Sequence, residues 1–76
     1  MFTAKRIKEH LDSIPFKPFK LCLSDGRVFE IPHHDAAWVT KNAVEVGLNL
    51  DADGIADQVA KCAIIHIVSI EDLQAA

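Results

Sequence analysis

The side chains able to do chemistry in this sequence are few and scattered. His33, His34 and Asp35 form the only local cluster of candidate metal ligands. Neighbouring residues in an extended strand point to opposite faces, so His33 and His34 can share one metal only if the chain turns there. His10 and His66 could join them only through the fold, and no cysteine or further histidine stands at a recognised ligand spacing. The expectation is a solvated polar loop without metal, His33 and His34 being the candidates if a site exists. His66, between Ile65 and Ile67, reads as a partly buried side chain whose ring is held by a backbone carbonyl.

Nucleophilic catalysis needs a serine or cysteine beside a base and an orienting acid. Ser24 and Asp25 are explained by turn chemistry, and Ser69 and Cys62 lie in apolar runs that read as core. The acidic pairs Asp51/Asp53 and Glu71/Asp72 fall in a turn and in a tail expected to fray, where solvation accounts for them. None of the three glycines belongs to a phosphate-binding loop. Neither an enzyme nor a cofactor is expected.

The basic residues are the remaining chemistry. Residues 1–20 carry Lys5, Arg6, Lys8, Lys17 and Lys20 against Glu9 and Asp12, whereas the rest of the chain carries Arg27, Lys41 and Lys61 against nine acidic side chains. With a net charge of −3, nucleic acid is not the default partner. The asymmetry is read first as a basic helix complementary to its own acidic sheet. The sharper reading is a contact surface for an anionic partner, made of Lys5, Lys8, Lys17 and Lys61. Single-strand platforms interleave aromatics with basic groups, as Phe16-Lys17-Pro18-Phe19-Lys20 does, but Phe19 is claimed by a strand core and Phe16 by the helix–sheet junction. Trp38, the one tryptophan, is read as a mostly buried core filler, with a surface anchor as the alternative.

These residues must be positioned by a small framework. Seventy-six residues make one domain, which buries only about 60% of the surface its unfolded chain exposes. Half the residues are hydrophobic and a quarter charged, a globular balance too apolar for disorder. Two cysteines, Cys22 and Cys62, fit no disulfide framework and imply reduced thiols in a cytoplasm. The opening Met-Phe-Thr-Ala-Lys-Arg lacks the apolar stretch of a signal peptide, and no apolar run approaches the roughly 20 residues that span a bilayer.

Thr3 is a plausible N-cap, with Phe2 and Ile7 placed as a hydrophobic staple. Ile7, Leu11 and Ile14 recur at helical spacing, and Pro15 stops the helix near Ser13. The β-rich region then runs from about residue 18 to 71. Phe19, Leu21 and Leu23 alternate with Lys20, Cys22 and Ser24, and Phe29 and Ile31 alternate with Val28 and Glu30. A two-residue Asp25-Gly26 loop would set Leu21 against Glu30. A three-residue loop, Ser24-Asp25-Gly26, with Gly26 in the left-handed region, pairs Leu21 with Phe29 and Phe19 with Ile31. It also pairs Cys22 with Val28 on an opposite face that should be partly covered. Pro32 ends or bends the strand, Ala36–Thr40 forms a third, and Lys41-Asn42 turns into the clearest period-two run, Ala43–Leu50. Asp51–Gly54 is a turn, Ile55–Lys61 a further strand, and Cys62–Ile70 a run buried on both sides with a short turn near Cys62–Ile64. The fold class is α+β, mostly β: an amphipathic N-terminal helix followed by a small, bent antiparallel sheet or barrel of SH3-like or Sm-like kind.

Pro15-Phe16-Lys17-Pro18-Phe19, Leu21-x-Leu23-x-Asp25-Gly26-Arg27, Ile31-Pro32-His33, Val44-x-Val46-Gly47-Leu48 and His66-Ile67-Val68-x-Ile70-Glu71, in that order, resemble a group of short uncharacterised bacterial proteins. The resemblance spans nearly the whole chain and implies a single compact domain but no activity. Members of that group carry proline and glutamate where this chain has His34 and Asp35. A looser similarity is to the Sm-like RNA-binding proteins, ring-formers that bind uridine-rich RNA, with Lys61-Cys62-Ala63-Ile64 standing where they have a lysine-led run and Cys62 replacing their histidine. Fold-level similarity does not carry function. The expected function is a small, non-catalytic interaction or structural module that forms a homo-oligomer, since a thin core with unpaired strand edges gains from a partner. The alternative is an Sm-like RNA-binding protein. A membrane partner is not expected.

Overall fold

A computed structural model describes residues 2–73 of the chain. Helix α1 (Ala4–Asp12) precedes six strands: β1 (Phe19–Leu23), β2 (Val28–Ile31), β3 (Ala37–Val39), β4 (Ala43–Leu48), β5 (Gln58–Ala63) and β6 (Ile67–Asp72). A 3-10 turn, Ile64–His66, joins the last two. The strands form two antiparallel sheets of three, ordered β2-β1-β6 and β3-β4-β5. The architecture is therefore α+β and mostly β.

Helix α1 begins where its cap requires. The Thr3 hydroxyl accepts a hydrogen bond from the Arg6 amide at 3.2 Å, satisfying one of the donors a helix N-terminus leaves unpaired. Ser13 closes the helix, and its hydroxyl bonds the His10 carbonyl. Ile7 and Leu11 are buried, and Phe2 packs against the same core. Ile14, expected on that stripe, is instead 97% exposed. It lies beyond the helix, where Pro15 has already forced the chain out of helical geometry, so helical spacing no longer applies to it.

The β1–β2 hairpin has the three-residue loop and its register, Phe19 opposite Ile31, Leu21 opposite Phe29 and Cys22 opposite Val28. The Gly26 amide reaches the Leu23 carbonyl at 3.0 Å, and Leu23 in turn bonds the Arg27 carbonyl at 2.9 Å. Gly26 has φ +93°, which glycine alone adopts without strain. The face carrying Cys22 and Val28 is more open than expected: Cys22 is half-buried and Val28 exposed.

In the second sheet, Lys41-Asn42 makes the tight turn, and Val44 and Val46 of β4 are fully buried. A Cβ on Gly47 would lie 3.1 Å from the Ala56 Cβ and 3.3 Å from the Ala36 carbonyl oxygen, so the position stays small to let the following loop fold back. Asp51 organises that loop, its Oδ1 accepting from the Asp53 and Ile55 amides at 2.9 Å each. This closure delays β5 to Gln58, later than the expected start at Ile55.

Three other expectations are corrected. Cys62–Ile70 is not buried on both sides, because Ile65 and Val68 are exposed. Each small sheet has only one face on the core, and the 3-10 turn redirects the run between sheets. Glu71, expected to fray, belongs to β6 and pairs with Lys20. Trp38 is 71% exposed, because its register with Glu45 turns it outward while Ala37 and Val39 take the inward positions. One buried cluster joins α1 to both sheets, centred on Ile7, Phe19, Leu21, Ile31, Val44 and Val46. Ile7→Ala should therefore cost about 2–5 kcal/mol in urea unfolding, whereas Ile14→Ala should stay within about 0.5 kcal/mol of the parent.

Candidate functional site

The His33–Asp35 segment does turn: the Ala36 amide bonds the His33 carbonyl at 3.0 Å. Both histidines and Asp35 are exposed, and among the described residues no group of three His, Cys, Asp or Glu side chains is placed to hold a metal. The ring of His34 instead meets Phe16 edge-on, 6.2 Å between centroids. Phe16 in turn lies 6.0 Å from Phe19, covering the junction of helix and sheet, and His10 lies 5.4 Å from Phe19 on the other side. Two histidines thus serve as partners for an aromatic cluster. His66 is exposed rather than partly buried, since it ends the 3-10 turn; its backbone carbonyl, not its ring, is engaged, accepting from Ser24 at 2.8 Å.

The basic candidates are distributed over separate elements. Lys8 pairs with Asp12 one turn along α1 at 2.9 Å, a solvent-exposed contact worth about 0.3–0.5 kcal/mol. Lys5 and Lys17 are exposed and form no ion pair among the described residues. Lys61 lies on β5, where the register aligns it with Glu45 of β4 and, beyond it, Trp38 of β3. Trp38, Glu45 and Lys61 therefore form one cross-strand row on the outer face of the second sheet. Val59 shares that face and is exposed as well. With Leu50 and Ala56 it lines a shallow depression of about 290 Å³ beside Trp38 and Gly47.

Trp38 also borders a second cavity, a cleft of about 350 Å³ between α1 and β3 whose walls include Lys8, Leu11, Asp12 and Val39. Sequence reasoning missed both features. A signal existed: the two-residue Lys41-Asn42 turn sets Thr40 opposite Ala43 and hence Trp38 opposite Glu45, and a tryptophan sharing a face with a glutamate points away from the core.

The outer face of the first sheet holds a tight polar group. Glu71 Oε2 accepts from Ser69 Oγ at 3.2 Å and from Cys22 Sγ at 3.7 Å, and Glu71 Oε1 lies 3.9 Å from Lys20 Nζ. The Cys22 and Lys20 contacts join Glu71 of β6 to β1. In the hairpin loop, the Arg27 backbone amide, at 3.0 Å, holds the Asp25 carboxyl below the usual carboxylate range, with further help from the Arg27 guanidinium at 2.7 Å. Both groupings stabilise local structure.

Cys62 is 1% exposed, and burial pushes its thiol above the ordinary value. Its neutral form is what folding favours. That contribution is complete below the unfolded thiol pKa and is lost as pH rises through the folded one. Alkaline titration of stability should therefore fall more steeply for the parent than for Cys62→Ala. At neutral pH a thiol reagent should modify half-buried Cys22 first, and Cys62 only after unfolding. Compared with known proteins, the chain matches no family model, no curated protein and no solved structure.

Proposed function

We propose that this chain is a non-catalytic interaction module that works by self-association through its strand edges. The carrying observation is the strand arrangement: two sheets of three strands leave β2, β6, β3 and β5 each with one side unpaired by any other strand among the described residues. Such edges present rows of backbone donors and acceptors that another strand satisfies. The exposed apolar side chains of Trp38 and Val59 support the reading, since a partner removes them from water. Free cysteines fit a reducing compartment such as the cytoplasm. The order of helix, hairpin, three strands, 3-10 turn and last strand supports reading the module as a small SH3-like or Sm-like one.

The polar clusters have structural employment that supports the absence of a catalytic role. Asp25 and Asp51 order loops, Glu71 ties two strands, and His10 and His34 pack on phenylalanines. Light scattering behind size exclusion should report a mass rising from one chain to at least two as concentration increases. A strictly monomeric species up to millimolar concentration overturns the reading.

RNA binding of Sm-like kind is the second reading, favoured by one observation: Trp38 and Lys61 are exposed in the same cross-strand row, a stacking surface and a cation on one face. Glu45 lies between them and opposes a phosphate backbone. Titration with single-stranded RNA at 50 mM and 200 mM salt separates the two readings. Binding that weakens sharply with salt and is lost in Lys61→Ala favours RNA, whereas no shift at the lower salt removes it.

A further inference from the structure

Strand β3 ends its sheet, and helix α1 packs beside it where a further strand would lie. Between the two runs the cleft of about 350 Å³, a volume within the range of about 300–1,000 Å³ that small-molecule sites occupy. Leu11 and Val39 give it apolar walls, and the largely exposed Trp38 stands at its border.

The backbone of β3 faces this cleft with unused hydrogen-bonding groups. The Gly47 amide donates to the Ala36 carbonyl at 2.7 Å, and the Thr40 amide donates to the Ala43 carbonyl at 2.8 Å. Antiparallel ladders alternate hydrogen-bonded and non-hydrogen-bonded pairs, so the amides and carbonyls of Ala37 and Val39 point away from β4. Helix α1 satisfies its own backbone and returns no bond to them. Ala37 is buried, so its two groups have little contact with bulk water either.

Charge in the walls is unbalanced. Asp12 pairs with Lys8 at 2.9 Å on the helix side. Asp35, which lines the same cleft with His34, is exposed and forms no ion pair among the described residues. Two carboxylates therefore face one ammonium. An anion is opposed by this excess, whereas a cation finds a free carboxylate, the π-surface of Trp38 and two backbone carbonyls.

We propose that this cleft binds a small, flat organic cation, an amidinium or guanidinium on an apolar body, with its N–H donors on Asp35 and the β3 carbonyls and its apolar part against Leu11 and Trp38. A planar donor fork suits these acceptors better than a compact ammonium does, because it makes two parallel N–H bonds at once. Binding is independent of self-association, since it uses none of the β2, β5 and β6 edges.

Benzamidine, benzamide and benzoate test the site, being nearly one shape with a positive, a neutral and a negative head. Trp38 is the one tryptophan, so its indole N–H gives a single resonance in a nitrogen–proton correlation spectrum of the full chain. At about pH 8, where histidine is ordinarily neutral, benzamidine should shift that resonance saturably in the millimolar range, benzamide less, and benzoate not at all. Asp35→Asn should weaken benzamidine roughly five-fold and leave benzamide unchanged. Lys8→Ala releases the Asp12 carboxylate and should strengthen benzamidine about two-fold to five-fold. Both positions are exposed, and circular dichroism checks that each variant is folded. Lys8 lines this cleft but not the depression beside Gly47, so a Lys8→Ala variant that binds benzamidine as the parent does overturns the site. Absence of a saturable shift with benzamidine overturns it as well. An equal response to benzoate, or undiminished binding by Asp35→Asn, overturns the preference for cations.

Discussion

The bonds that close the β1–β2 loop are the constraint on which the rest of this small structure depends. Gly26 bonds Leu23, and Leu23 bonds Arg27, across a loop that only a positive φ at Gly26 permits. This choice of three loop residues over two decides the parity of both strands. With it, Phe19, Leu21, Leu23 and Ile31 all enter the core, and a slip of one residue would replace them by Lys20, Cys22 and Glu30. Helix α1 and the second sheet have a buried surface to join only because that face is wholly apolar. Phe19 is the meeting point, touched by Phe16 and His10 and fully buried beneath them.

The economy of this arrangement has a cost. Two three-stranded sheets sharing one core leave each with a single buried face, so apolar residues of outward parity remain in water. Trp38, Val59, Val68 and Val28 are all exposed for this reason. Charged residues lie within the edge strands β2, β5 and β6, while α1 packs beside β3. The carboxylates of Asp25 and Asp51, meanwhile, hold loop amides, Glu71 reaches a neighbouring strand, and His10 and His34 pack on aromatic rings.

Much of the framework was legible because it is written in short-range chemistry. The Thr3 cap, the helix stop before Pro15, the hairpin register and the alternation of β4 each depend on residues within a few positions of one another. The Asp51–Gly54 turn was legible for the same reason, although the reach of the Asp51 carboxylate to Ile55, which postpones β5, was not. The candidate surface was mostly illegible. Lys61 and Trp38 are 23 positions apart, and only the joint register of β3, β4 and β5 sets them in one row.

By itself the sequence determined local conformation and the period of burial within each strand, because capping, turn geometry and side-chain alternation are properties of neighbouring residues. Tertiary structure alone decided how six strands divide into two sheets, and therefore which edges stay open and which apolar residues stay wet. Ile65 and Val68 sit in an almost entirely apolar run, yet both face water, since whether a second layer covers a strand depends on where the rest of the chain has gone. Trp38 carries the same lesson: its hydrophobicity favours burial, and its register with Glu45 overrules it.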